Sequence, residues 1–512
     1  MTTTTTTPML RPLFLARAPL AAAPLLLLSA CMSLAPPHEL PAPPVPATLD
    51  APAPAEAALA PEPAGPAFVL DARLRTLLGM ALADNRDLRV AVLAVERARA
   101  QYGIAQADRL PTVTATGNAA RARTADDLTT AGRGNVAGQY SASVGLAAYE
   151  IDFWGRVRNL NEAALQEFLR SQDSRDSARI AIASDVMLAW LNLDADARRL
   201  LLARATLRAR QQQFALTQRT HALGAASGLT LAQVQTTVDG ARADVAAYQA
   251  QVARGRNALA LLVGSAVPVN LLPPNVEPAL REPAAAQPQP LPQGTAPAGE
   301  PRTAEPPATA TALPSIAPGL PSSVLLQRPD VRAAERSLAA ASAQIGVARA
   351  AFFPSISLTA SVGTASNELS GLFGAGNGTW SFAPQIRLPI FDAGRNRANL
   401  RVAEVARETT IAQYERSIQA AFRDVADALA DRATLTERLD AQRSLVDATQ
   451  RTLELSQARF RLGADSYLAV LDAERSLYTA QQALIALQLA EQANRVQLYK
   501  ALGGQWQGVA TQ

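Results

Sequence analysis

The chain repeats itself at a constant offset of 239 residues. Leu223-Gly224-Ala225-Ala226-Ser227-Gly228-Leu229 returns as Leu462-Gly463-Ala464-Asp465-Ser466-Tyr467-Leu468, Gly155-Arg156 as Gly394-Arg395, and Gly264 as Gly503. Three landmarks at one spacing mark an internal duplication, so whatever the chain builds it builds twice. Pro111 and Pro354 form a fourth pair at an offset of 243, so the first copy is slightly longer between its proline and Gly155.

Each copy changes period midway. Residues 68–108 and 324–352 read as helix, with Leu74, Leu77, Leu78 and Leu82, and Leu338 and Ile345, at helical spacing. After each proline the period becomes two. Ile356, Leu358, Ala360 and Val362 alternate with Ser355, Ser357, Thr359 and Ser361; Trp380, Phe382, Ile386, Leu388 and Ile390 alternate with Thr379, Ser381, Gln385 and Arg387 over 379–391. Residues 139–149 follow the same rule, with Tyr140, Val144 and Leu146 against Ser141 and Ser143; the strand after Pro111 is weaker, with Val113 and Ala115 against Thr112 and Thr114. Gly-rich polar loops, 122–138 and 365–378, join the strands of each hairpin.

Strands of about ten residues with one apolar and one small polar face fit a transmembrane barrel. A soluble sandwich shows the same alternation, but here the polar face is Ser and Thr and no second sheet is available to cover the apolar one. Four strands cannot close a barrel, and an open edge cannot sit in lipid. The subunits must therefore complete one barrel together: two would supply eight strands and three would supply twelve.

The intervals Gly155–Gly224 and Gly394–Gly463 are equal, lack proline and are rich in Ala, Leu, Arg, Gln and Glu. Each permits a helix of about 100 Å, far beyond a globular one. Gly224 and Gly463 suit a left-handed stop, Ser227 and Ser466 an N-cap, and the returning helices run to Gly264 and Gly503. The fold class expected is an α+β membrane protein, mostly long helices forming a helical barrel, with four strands per subunit of a shared transmembrane β-barrel. The first repeat spans 67–267, with a strand hairpin at 111–152 and a helical hairpin at 155–264. The second spans 321–506, with hairpins at 354–391 and 394–503. A Pro-rich connection at 268–320 reads as disordered, above all its Pro/Ala/Thr-rich stretch 280–318, and 507–512 reads as a tail.

The N-terminus is an address. Arg11 and Arg17 precede an apolar run ending at Leu28, too short and too broken by Pro19 and Pro24 to span a bilayer. Leu28-Ser29-Ala30-Cys31 resembles a bacterial lipobox, and Cys31 is the one cysteine of the chain. Residues 1–30 are then a lipoprotein signal peptide, Cys31 carries acyl chains, and the Pro/Ala-rich stretch 31–66 is an extended tether with no core of its own.

Several functions fall away. One cysteine and two histidines, His38 and His221, cannot build a Cys/His zinc site. No Gly-x-Ser-x-Gly, Walker or His-Glu-x-x-His pattern occurs, so neither an enzyme nor a cofactor is expected. The formal net charge is +4, with arginines dispersed among acids and no basic run, which argues against nucleic acid.

Four segments carry a family resemblance: Tyr149-Glu150-Ile151-Asp152-Phe153-Trp154-Gly155-Arg156, Leu388-Pro389-Ile390-Phe391-Asp392-Ala393-Gly394-Arg395, Leu325 to Glu335, and Leu498-Tyr499-Lys500-Ala501-Leu502-Gly503-Gly504. Together they resemble the outer-membrane factor family of TolC-like efflux ducts, in its OprM-like lipoprotein branch, over residues 68–506. The resemblance implies a homotrimer with a twelve-stranded barrel in the outer-membrane lipid and a helical barrel in the periplasm. It implies a periplasmic adaptor and an inner-membrane pump, usually of the resistance–nodulation–division class. A protein-secretion exit duct is the alternative. The family's periplasmic gate maps onto Leu468 and Asp472, with Arg475 beside them; three subunits would set three Asp472 carboxylates in a ring. The same spacing also allows a plain i, i+3 surface pair of Asp472 with Arg475. The first copy has Gln233 where the second has Asp472. The tips at Leu223-Gly224 and Leu462-Gly463 are the expected adaptor contacts. The connection 280–318 is longer than the family pattern.

Overall fold

The computed structural model describes residues 33–37, 39–47, 68–128, 134–281 and 322–504. The signal segment 1–30, Cys31, most of the tether, the stretch 282–320 and the tail 507–512 lie outside them. In order, the helices and strands are α1 (Ala72–Asp84), α2 (Arg86–Ala107), β1 (Val113–Arg123), β2 (Val136–Ile151), α3 (Arg156–Ala222), α4 (Gly228–Val263), α5 (Val276–Leu280), α6 (Pro329–Ala350), β3 (Ser355–Ser366), β4 (Gly378–Arg387), α7 (Arg395–Arg461) and α8 (Tyr467–Ala501). The long helices α3 and α7 have 67 residues each, as equal copies of one interval require.

The chain divides into two compact units. One holds the described residues of 97–169 and 336–412 together with 33–37, 39 and 40. Its centre is a single antiparallel sheet in the order β1-β2-β3-β4. The two copies are joined at its middle, where β2 pairs β3 with Val144 opposite Val362 and Leu146 opposite Ala360. A bulge between Leu146 and Tyr149 puts Ala148 at φ 52, and the Ala148 N–H finds the Thr359 hydroxyl at 3.0 Å instead of a ladder carbonyl. At the helix end of the sheet Trp154 donates its indole N–H to the Pro354 carbonyl at 2.8 Å and stacks on Phe353 at 4.5 Å, so the start of α3 is fastened to the start of β3.

The other unit holds the described residues of 41–96, 170–335 and 413–504. Its main core gathers Leu74, Leu77 and Leu78 of α1, Val186, Met187 and Trp190 of α3, and Leu259 and Val263 of α4. Trp190 is 1% exposed, and its indole N–H reaches the Leu271 carbonyl at 3.2 Å. Phe68 stacks on Tyr499 at 4.6 Å, and burial pushes the Tyr499 phenol up to about 12. A second cluster joins Leu325 and Val331 to Tyr414, Ile418, Ala421 and Val425 of α7.

Several expectations change. The first helix, read as 68–108, is broken at Asn85, whose backbone is extended at φ −61, ψ 130. Asn85 caps α2 by accepting the Leu88 N–H at 2.8 Å and donates to the Leu262 carbonyl at 2.7 Å. The segment read as 324–352 begins as a tight turn over Ser322–Gln327, and α6 starts only at Pro329, a favoured first helical position. The strand read to 391 ends at Arg387, before Pro389, which has no N–H to offer a ladder. The described part of the tether is docked: Ser33 donates to Asn159 Oδ1 at 2.7 Å, Arg349 donates to the Leu34 carbonyl at 3.1 Å, and Val45 packs on the Leu325 cluster. Of the two cap serines, Ser227 accepts the Thr230 N–H at 3.1 Å, but Ser466 makes no side-chain cap bond. Thr230, whose hydroxyl also meets Ser227, is Ala469 in the second copy.

Candidate functional site

The register sorts the sheet into two faces. Val113, Leu146, Ala360 and Phe382 form one row across all four strands, and Ala115, Val144, Val362 and Trp380 the next. The opposite face carries hydroxyl pairs: Thr116 with Ser143 at 2.9 Å and Ser361 with Ser381 at 2.8 Å. The apolar face is bare. Trp380 is 80% exposed and Phe382 63%, and among the described residues the outer edges of β1 and β4 have no partner strand. A flat apolar face with open edges is a surface built to be covered. Among the described residues no helix is long and apolar enough to cross a membrane.

The two helical turns are near copies. Gly224 and Gly463 lie at φ 72 and φ 74, and Leu223 and Leu462 beside them are 83% and 85% exposed. Each turn closes the same way, with the Gly N–H on the carbonyl three residues back and the next N–H on the carbonyl five back. The side chains differ. At the second turn Arg459 holds Asp465 with two bonds, Nε–Oδ2 at 2.5 Å and Nη2–Oδ1 at 2.9 Å. At the first, those positions are Thr220 and Ala226, and the His221 ring instead meets the Ala226 carbonyl at 2.8 Å. The sequence comparison of the two copies contains this difference, but only the fold shows that the pair bridges the turn.

Just beyond the second turn, α8 is two-sided. Tyr467 and Val470 are buried against Val234 of α4. Leu468, Asp472 and Arg475 follow at i, i+4 and i+7, the spacing of one exposed stripe. Arg475 Nη2 donates to Asp472 Oδ1 at 2.6 Å, with the two side chains 75% and 55% exposed. A pair this exposed holds its members only weakly. Gln233, the counterpart of Asp472, is half-buried on α4.

Behind that stripe lies a network the sequence reading did not find. Tyr478 of α8 donates to Asp244 Oδ2 of α4 at 3.0 Å, and the Arg210 guanidinium of α3 sits over the Tyr478 ring, 5.6 Å from its centre. Arg210 also donates to the Thr237 carbonyl at 3.0 Å. Glu474 is half-buried beside it; burial raises its carboxyl above the ordinary value, while Arg210 pulls it back down. Among the described residues no three His, Cys, Asp or Glu side chains converge to hold a metal.

The family model described as outer membrane efflux protein matches residues 77–265 and 320–504, the two copies of the duplication. The probable efflux pump outer membrane protein TtgC of Pseudomonas putida is 42% identical over 440 residues, covering 86% of this chain and 84% of that protein. The outer membrane protein OprJ of Pseudomonas aeruginosa is 42% identical over 439 residues, covering 86% and 85%. Among solved structures, the open state of the Neisseria gonorrhoeae MtrE outer membrane channel superposes with a TM-score of 0.76 at 36% identity, over 93% of this chain and 99% of that one.

Proposed function

The chain belongs to the outer membrane efflux protein family, and from that premise we propose that it is the outer-membrane subunit of a tripartite efflux system, conducting small molecules out of the cell. One observation carries the reading: a four-stranded sheet with a bare apolar face and two unpaired edges. In lipid each unpaired backbone group costs several kcal/mol, so β4 of one copy must meet β1 of the next. Three copies close a twelve-stranded barrel, apolar face to lipid and hydroxyl face to the lumen. The long helical hairpins lie on the periplasmic side, and an acylated Cys31 adds a lipid anchor.

The partners follow from the same premise. A periplasmic adaptor docks at the turns around Leu223-Gly224 and Leu462-Gly463, whose exposed leucines offer apolar contacts. An inner-membrane pump of the resistance–nodulation–division class supplies the energy, and the duct itself performs no catalysis. The exposed stripe of Leu468, Asp472 and Arg475 forms the constriction at the periplasmic end, an apolar ring beside a charged one. The names of the relatives, which are efflux pump outer membrane proteins, support export of small molecules over export of proteins. Native mass spectrometry of the detergent-purified full chain, with planar-bilayer recording of the same material, tests this. A conducting trimer is expected; a monomer without conductance overturns the reading.

A further inference from the structure

The hydroxyl face of the sheet is almost free of charge. Thr116, Ser143, Ser361, Ser381 and Gln385 are typical of its positions, which take every second residue of each strand, shifted by one in β2 past the bulge between Leu146 and Tyr149. Among the described strand residues two charged side chains fall on it, Glu150 opposite Ser357 and Arg387 opposite Ser355. They differ in what neutralises them. Glu150 is gripped by Arg156, with Nε–Oε1 at 2.8 Å and a second bond from Nη2 to Oε2, so that pair carries no net charge. Arg387 is exposed and has no ion-pair or side-chain hydrogen-bond partner among the described residues. It is also the last residue of β4, at the end of the sheet that leads into α7.

We propose that Arg387 sets the charge preference of the barrel segment, forming with its two copies a ring of guanidinium groups at the periplasmic mouth of an otherwise neutral lumen. The inference rests on the duct reading above, in which the hydroxyl face lines the pore and three copies surround it. A twelve-stranded barrel with a strand spacing of about 4.8 Å and a tilt near 40° has a radius of about 12 Å. The Debye length is about 8 Å at physiological ionic strength and about 3 Å in molar salt. Three arginines reaching into such a lumen therefore act on most of its cross-section in dilute salt and on little of it in molar salt. The ring attracts anions and slows cations, and it is a second charged layer distinct from Asp472 and opposite to it in sign.

The test is ion selectivity of the full chain in planar bilayers under a KCl gradient, in an Asp472→Ala background that removes the acidic layer. Arg387→Glu should lower the chloride-to-potassium permeability ratio by a factor of about three to ten in dilute salt, with Arg387→Gln in between and Arg387→Lys close to the parent. The differences should shrink in molar salt, which a merely structural defect would not do. Open pores with the same reversal potential in all four proteins overturn the inference and leave the duct standing. No pore from any of them, the unaltered chain included, overturns the duct reading and the ring with it.

Discussion

The Tyr478 hydroxyl donates to Asp244 Oδ2 at 3.0 Å, tying the returning helix of the second repeat to that of the first. Tyr478 follows Arg475, the last residue of the exposed stripe, by less than one helical turn. Burial, and then Asp244, push the Tyr478 phenol upward, so it stays a donor throughout the physiological range. Tyr478→Phe keeps the ring under Arg210 and removes only this bond. It should cost about 1.5–3 kcal/mol, the usual range for a bond to a charged acceptor. A thermal double-mutant cycle with Asp244→Ala measures it, and a coupling of zero would show that the two helices are not tied here.

Asp472 sits on the exposed face of α8, and among the described residues its carboxylate is held by Arg475 alone. If three copies converge at a constriction, Asp472→Ala should make the resting duct leakier, and Arg475→Ala should make it more cation-selective by freeing the acid. Single-channel conductance of the reconstituted protein reads both effects. Unchanged conductance in Asp472→Ala would remove this residue from the constriction.

The Arg459–Asp465 pair predicts that the two turns respond differently to acid. The hydrogen bonds from Arg459 hold the Asp465 carboxyl below its ordinary value of 3.8. A depressed carboxylate contributes its stabilisation above the unfolded value and loses it as pH falls through the folded one, here below 3.8. Hydrogen exchange at 459–468 should therefore quicken in strong acid, with no matching change at 220–229, where the pair is absent. Arg459→Ala should quicken the second turn already at neutral pH.

Cys31 lies beyond the described residues, and its acylation rests on the sequence Leu28-Ser29-Ala30-Cys31. Cys31→Ser should yield a mature protein lacking the mass of its acyl chains, with the sheet and helices intact by circular dichroism. A mature mass equal to that of the unacylated wild-type sequence would remove the anchor.

Much of this was legible in the linear pattern because it depends on local physics. Period-two alternation gave β2, β3 and β4, and the absence of proline gave two equal helices from Arg156 and Arg395. The break at Asn85 was only partly legible: an Asn is a favoured N-cap, and here it caps α2 locally, but its second bond, to the Leu262 carbonyl 177 residues away, cannot be read from local pattern. The pairing of β2 with β3 was equally hidden, since periodicity says which face a residue takes but not which strand lies beside it. The exposed stripe on α8 came from family resemblance. The network behind it did not, because Arg210, Asp244 and Tyr478 come from three helices and none stands in a recognisable motif.

Glu474 carries the clearest pH signature. Burial raises its carboxyl above the ordinary 4.5, with Arg210 opposing the shift. For an acid whose folded value is raised, the native state binds more protons than the unfolded chain between the two values. Stability therefore falls as pH rises through that window, starting at 4.5, and at neutral pH the protein bears the full penalty of an ionised, half-buried carboxylate. Glu474→Gln keeps the shape and removes the charge. It should raise the thermal midpoint at neutral pH, and the gain should vanish below pH 4.5, where wild-type Glu474 is protonated in both states. Melting curves of the detergent-solubilised protein across that range decide the point. A lower midpoint for Glu474→Gln at neutral pH would mean that attraction to Arg210 outweighs the cost of burial, reversing the sign argued here.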